Sequence, residues 1–302
     1  MNAPLPSPAP PRSLTVLREQ LSTVAGMLRV PAIAAGGVLA LIAVDALRET
    51  FQSGARFGFR PELSMLPPMA GLLLPIAVWK GEERFGPGFF WSLPVDRRVH
   101  ALLRVCAGWT WLMAAVAVFV LGQLLLTLIS GGNVLGVETL QLLPTPVFAQ
   151  GGTVSADALR AVAWTPRPLL WLAPFTGATT LYVIGSAVAL GLRHPLRWII
   201  GLGLGSLMFG FTSEAADARW LVDVAQRLLQ GLFGGPLGLD AVMTARTESL
   251  STLATLPNGE TVGVWRGLPD LGQWAIATLL WFAGGVVALW AAASRHRERR
   301  PT

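Results

Sequence analysis

Side chains able to catalyse a reaction are scarce in this chain. Its three histidines are His100, His194 and His296, and no two of them stand at the spacing of metal ligands. Ser206 follows a glycine inside an apolar run, but that run has no histidine to activate it as a nucleophile. The sequence therefore predicts no catalytic residue and no metal site, and it favours a protein that is not an enzyme.

The sequence also lacks the phosphate-loop motif that nucleotide hydrolysis usually needs. A phosphate loop needs a lysine next to its glycines to reach the β- and γ-phosphates, and the only lysine, Lys80, follows Trp79. The glycine-rich run at residues 201–205 lies within an apolar stretch with no strand before it. We expect no cofactor on this chain, so any ATP that drives it is bound by a separate subunit.

Charge is concentrated in one interior stretch, Gly81–Arg104, between two long apolar runs. Arginines and acidic residues alternate there. A short, Arg-rich segment between two apolar spans is expected on the cytoplasmic side of a membrane. It is either a solvated loop that contacts anionic lipids or a docking element through which a soluble partner moves the helices.

The composition indicates an integral membrane protein. Of 302 residues, 53% are hydrophobic and 13% are charged, whereas soluble domains average about 25% charged residues. The net charge of +6 does not form a basic face, because the charges separate apolar runs, so we expect no nucleic-acid partner. The single cysteine, Cys106, excludes an internal disulfide.

Six apolar runs approach the roughly 20 residues needed to cross a bilayer. The predicted fold is an all-α, polytopic membrane protein whose six transmembrane helices lie within residues 31–293. The predicted spans are Pro31–Leu47, Leu63–Trp79, Leu102–Ile129, Pro168–Leu192, Leu196–Phe211 and Leu271–Ala293.

Two segments precede the first span. Residues 1–12 are rich in proline and alanine, and we expect a disordered tail. Residues 13–30 place leucine and valine at alternating steps of three and four, which predicts an amphipathic helix lying in the membrane interface. Pro31 should end or kink this helix.

Lysine and arginine counts orient the chain. The predicted inner segments, among them the loop at 81–104 and the tail at 294–302, hold more basic residues than the longer outer loops at 130–167 and 212–270. Both termini are therefore predicted to be cytoplasmic. A short helix is predicted near Ala156–Ala163 in the first outer loop.

Small residues within the spans allow helices to approach closely, inside one bundle or across a dimer. The predicted packing positions are Gly201, Gly205, Gly284 and Gly285.

This arrangement resembles the ABC-2 family of ATP-binding-cassette transporter permeases. The most specific part is Glu82-Glu83 followed by Trp91-Ser92-Leu93-Pro94-Val95-Asp96-Arg97-Arg98, which leads directly into the third span. The family has an acidic residue and a Leu-Pro-Val-Ser-Arg-like turn in its cytoplasmic coupling region. Here Asp96 stands where a serine is common, and Arg104 where a lysine is common.

The resemblance implies a permease subunit of an exporter in the inner membrane of a bacterium. Its implied partners are an ATPase subunit and a second permease copy or a related permease. The implied coupling residues are Glu82, Glu83, Pro94, Asp96, Arg97 and Arg98. The alternative from the sequence is a non-transporting scaffold or sensor that binds a ligand or partner with its outer loops.

Overall fold

The chain is described here by a computed structural model. The residues that it describes are 13–53, 65–79, 97–132, 134–143, 155–165, 167–192, 194–195, 197–198, 200–201, 224, 227, 230–234, 237–244, 252–259, 261–265, 267–268 and 270–296.

Helices account for most of the described residues. Those with complete bounds are α1 (Ser13–Ser53), α2 (Leu66–Trp79), α3 (Arg97–Ile129), α4 (Ala173–Gly191), α5 (Leu239–Thr244) and α6 (Leu271–His296). A 3-10 turn at Pro168–Leu172 leads directly into α4.

Three described helical segments are long and apolar enough to cross a membrane: Arg98–Ile129, Pro168–Gly191 and Leu271–Ser294. A fourth is obtained if Thr15–Val30 and Ala32–Asp45, which meet at a 52° bend around Pro31, are one span. The prediction of a mainly helical membrane protein is thus confirmed at this coarse level. The predicted fifth span, Leu196–Phe211, lies largely outside the described residues.

The prediction of an all-α fold needs one correction, because the two predicted outer loops also form a small sheet. Its strands are β1 (Glu138–Leu142), β2 (Arg160–Trp164), β3 (Thr252–Thr255) and β4 (Thr261–Trp265). Their order is β2-β1-β4-β3. The predicted helix at Ala156–Ala163 is wrong, since only a 3-10 turn at Ala156–Ala158 precedes β2.

The sheet joins segments that are far apart in sequence. β1 pairs antiparallel with β2, and β3 pairs antiparallel with β4. The two antiparallel pairs meet where Gln141 and Leu142 of β1 pair in parallel with Val264 and Trp265 of β4. Because these strands follow α3 and precede α6, the end of α3 and the start of α6 lie at the same end of the bundle, which we call the sheet end.

Contacts between helices give their directions. Tyr182 in α4 donates a hydrogen bond to the Val105 carbonyl of α3 (2.9 Å), and Trp109 donates to Thr179 (3.1 Å). Higher numbers in α3 thus meet lower numbers in α4, and the two helices are antiparallel. Arg98 at the start of α3 meets Ser294 near the end of α6, so α6 runs in the same direction as α4. We call this opposite end the basic end.

Helices α2 and α4 pack most closely. A Cβ added to Gly71 would lie 2.4 Å from the Ala178 carbonyl oxygen, and one added to Gly185 would lie 2.4 Å from the Leu72 carbonyl oxygen. The two backbones are therefore in direct contact, which requires glycine at both positions. The buried hydroxyphenyl group of Tyr182 fills the space beside Gly108 of α3.

Candidate coupling site at the start of helix α3

The predicted coupling residues are described only in part. Glu82, Glu83, Pro94 and Asp96 lie outside the described residues. Arg97 is the first residue of α3, but its side chain is also outside them. Arg98 is described in full, so the site is built from it and from Arg104, two turns further along the same helix.

Arg98 links the start of α3 to the end of α6. Its guanidinium carbon lies 5.1 Å from the centre of the Trp290 ring, a cation–π distance. The same guanidinium donates a hydrogen bond to the Ser294 hydroxyl, which in turn donates to the Trp290 carbonyl oxygen (2.8 Å). Trp290 lies near the end of the sixth predicted span, and nothing in the sequence indicates that it faces Arg98.

Arg104 links α3 to α1 and α2. It is only 4% exposed, and its Nε and Nη2 atoms donate to the Val78 carbonyl oxygen at 3.2 and 2.7 Å. Nη2 also lies 3.4 Å from the Met27 sulfur, and the guanidinium stands over the Trp79 ring at 5.1 Å. Since Val78 is in the last turn of α2, Arg104 satisfies a carbonyl that the helix cannot pair internally and places a cation at the negative end of the helix dipole.

The first part of α1 covers this junction. Val24 and Leu28 form a buried cluster with Val78 of α2 and Ala107 of α3. Trp111 of α3 adds a hydrogen bond from its ring nitrogen to the Leu21 carbonyl oxygen (3.1 Å). The amphipathic segment predicted at 13–30 therefore packs its apolar stripe on the basic end of the bundle.

These contacts make the first turns of α3 a junction between helices. Through Arg98 and Arg104, two turns of one helix contact α1, α2 and α6. A displacement of the segment just before Arg97 would therefore act on three other helices together.

The predicted packing glycines lie in different surroundings. A Cβ on Gly285 would lie 3.0 Å from Ile184 of α4, whereas Gly201 and Gly284 have nothing within 4 Å of that position. Gly205 lies outside the described residues. The closest helix contact uses Gly71 and Gly185 instead. Of these two, Gly185 belongs to a run of small residues at 185–189 that favours close packing.

A cleft opens at the sheet end, with a volume of about 570 Å³. Trp164 and Arg167 lie on one side of it, and Asp270 lies at the start of α6. Asp270 already accepts hydrogen bonds from the backbone of Gly272 (2.8 Å) and Gln273 (3.2 Å), so it caps α6.

Comparison with known proteins adds no assignment: no protein-family model, curated protein or solved structure matches this chain. Its function is therefore inferred from its own residues and contacts.

Proposed function

We propose that this chain is the membrane-spanning permease subunit of an ATP-binding-cassette exporter, driven by a separate ATPase subunit. The ATPase would dock on the cytoplasmic loop at 81–104, and two permease chains would enclose the path of the substrate. The proposal rests on the sequence resemblance around Glu82–Arg98 and on the contacts at the start of α3.

One observation carries the proposal: the helix that begins at Arg97, at the end of the proposed docking segment, contacts three other helices in its first turns. Arg98 contacts α6, and Arg104 contacts α1 and α2. Charge-assisted hydrogen bonds are stronger than neutral ones, and we propose that these contacts carry a displacement of α3 to its neighbours. Movement of the ATPase would thus tilt several helices.

The directions of α4 and α6 support a further membrane crossing between them. Both helices run from the sheet end to the basic end, and α5 packs beside Gly177 near the start of α4. Gly191 and Gly177 are roughly 21 Å apart along α4 at 1.5 Å per residue, so Gly191 and helix α5 lie toward opposite ends of α4. We propose that residues 196–211 make this crossing, which gives six spans with both termini in the cytoplasm.

The test is co-expression of this chain with an ATP-binding-cassette ATPase from an adjacent reading frame, followed by co-purification. The variant Arg97→Glu places an acidic group where the ATPase should meet a basic one, and we expect it to lose the association. Arg98 is left unchanged because it holds α3 to α6. Arg18→Glu, at an exposed position of α1, is the matched control and should retain it. Association of the Arg97→Glu protein at the wild-type level would contradict docking at this loop.

A second candidate function, a scaffold or sensor, is favoured by the cleft between β2 and the start of α6. In that case the sheet end would bind a ligand and no ATPase would be needed. Cysteine accessibility along α2 and α4 separates the two functions. A water-accessible face that changes with ATP supports transport, and uniformly protected faces support the scaffold.

A further inference from the structure

The cleft at the sheet end lies where two predicted spans begin. Its volume of about 570 Å³ is within the range of small-molecule sites (about 300–1,000 Å³). The end of β2 forms one part of its wall, and the first residues of α6 form another. Since the apolar helical segments start at Pro168 and Leu271, the cleft lies at the level where the chain enters the membrane from the sheet end.

Two side chains of opposite charge, Arg167 and Asp270, border this cleft. Both are exposed, and these two described side chains form no ion pair with each other. The hydrogen bonds with which Asp270 caps α6 both use Oδ1. Because a carboxylate has lone pairs for about four hydrogen bonds, Asp270 can accept further bonds from a ligand, and the guanidinium of Arg167 can donate to one.

These two charges restrict the charge of the ligand. A purely anionic group that is attracted by Arg167 is repelled by the Asp270 carboxylate, and for a purely cationic group the reverse holds. A small zwitterion satisfies both side chains, because its anion accepts charge-assisted hydrogen bonds from Arg167 while its cation donates to Asp270. Trp164 borders the same cleft, and the face of an indole ring attracts ammonium groups.

The apolar part of the lining connects these charges to the bilayer. Leu170 and Leu271 border the cleft at the starts of two apolar helical segments, and Leu268, which is 43% exposed, borders it as well. Covering apolar surface with hydrocarbon is favourable. A free zwitterion would leave this part of the cleft in water, whereas a lipid would cover it with the beginning of an acyl chain.

We propose that the cleft binds the headgroup of a zwitterionic phospholipid, such as phosphatidylethanolamine, from the surrounding bilayer. The lipid phosphate accepts hydrogen bonds from Arg167, and the ammonium group donates to Asp270. The first methylenes of an acyl chain lie along Leu268 and Leu271. This site does not depend on the ATPase docking proposed above, so the failure of either proposal leaves the other standing.

The test uses the purified full chain in phosphatidylglycerol vesicles that contain a photoreactive phospholipid, with the reactive group on an acyl chain beside the glycerol. One sample contains a photoreactive phosphatidylethanolamine, and the other a phosphatidylglycerol with the same chains. Peptide mapping should find about fivefold more of the ethanolamine lipid on residues 163–170 and 268–272, the effect of one ordinary hydrogen bond. Equal labelling of these residues by the two lipids would overturn the proposal.

The variant Asp270→Asn tests the partner of the ammonium group. Asparagine caps a helix as well as aspartate does, so α6 keeps its first turn while the cleft loses its negative charge. The preference for the ethanolamine lipid should then disappear, a change that a purely structural role of Asp270 would not produce. If the preference is retained, Asp270 does not bind the ammonium group and the proposal fails.

The variant Arg167→Gln tests the partner of the phosphate. It should lower the labelling by both lipids about fivefold, because both carry a phosphate. The matched control is Arg160→Gln, which changes an exposed arginine of β2 that does not border the cleft and should be labelled as wild type. Equal labelling of the two variants would contradict the assignment of the phosphate to Arg167.

Soluble phosphoethanolamine distinguishes a membrane lipid from a free zwitterion. It carries the same charged groups without acyl chains, so an excess of it should leave most of the labelling in place. Complete loss of labelling would show that the cleft takes a free zwitterion, and a membrane lipid would then be the wrong occupant.

Discussion

At the scale of single residues, Arg104 is the side chain whose burial most needs an explanation. A cation inside the bundle is costly unless hydrogen bonds compensate the lost hydration. Two bonds to the Val78 carbonyl and the face of Trp79 supply this compensation. The cation also lies at the end of α2, where the helix dipole favours positive charge. The Arg104 side chain therefore links α2 to α3.

Replacing Arg104 with methionine should destabilise the protein by about 3 kcal/mol, because the Val78 carbonyl remains buried without its charged donor. Arg104→Lys should cost less, about 1–2 kcal/mol, since lysine keeps the charge but loses the fork of donors and the stacking. Thermal unfolding of the purified protein in detergent measures both changes.

The control for this series is Arg18→Met, at an exposed position on α1, where a change within about 0.5 kcal/mol is expected. Equal melting temperatures for Arg104→Met and the control would show that the buried arginine stabilises nothing.

At the scale of secondary-structure elements, the contact of α2 with α4 depends on residues that helices normally avoid. Pro67 and Pro68 occupy the first turn of α2, where a missing backbone N–H costs nothing. Pro75 lies inside the helix and removes the hydrogen bond to the Gly71 carbonyl. Gly71 then allows the backbone of α4 to approach. At 14 residues, α2 is short for a span, and close packing rather than length holds it in the bundle.

Adding a methyl group at this contact should force the two helices apart. Gly71→Ala and Gly185→Ala each bring a Cβ to 2.4 Å from a carbonyl oxygen, and overpacking of this kind costs about 1–3 kcal/mol. Gly284→Ala has open space and should be neutral or slightly stabilising, because alanine is the better helix former. Melting temperatures of the three variants measure these changes in stability. A Gly71→Ala protein as stable as wild type would contradict the close approach of α2 and α4.

At the scale of the whole molecule, the sheet joins the two predicted outer loops, 130–167 and 212–270. Nothing in the sequence indicates that these loops contact each other. β1 and β4 are more than a hundred residues apart, yet they pair. Their pairing places the end of α3 and the starts of α4 and α6 at one end, and it gives the bundle two chemically different ends. One carries strands and a cleft, and the other carries Arg98 and Arg104.

This polarity predicts opposite labelling of the two ends in intact cells. With Cys106, which is exposed, replaced by alanine, a cysteine introduced at Asn258 between β3 and β4 should react with a membrane-impermeant maleimide. A cysteine at Thr302 should react only after permeabilisation, because the arginine-rich tail is predicted to be cytoplasmic. Reaction of both cysteines from the same side would contradict the proposed orientation.

The sequence by itself determined the class of protein and several element ends. The third predicted span ends at Ile129, the fourth begins at Pro168 and the sixth begins at Leu271, as the helical segments do. These limits are local, since an apolar run stops where charged, proline or glycine residues begin. One local signal was missed: Asn258-Gly259, where Gly259 adopts a φ of 82°, is the turn of the β3–β4 hairpin.

Only the tertiary structure decided which residues meet. Nothing in the spacing of Arg98 and Trp290, of Arg104 and Val78, or of β1 and β4 reveals that they are neighbours. These contacts join parts of the chain that come together only when the helices pack, and their energies depend on burial and orientation rather than on residue type. The sequence therefore supplied the membrane helices, and the packing of those helices made Arg98 and Arg104 the links at one end and brought Arg167 and Asp270 to one cleft at the other.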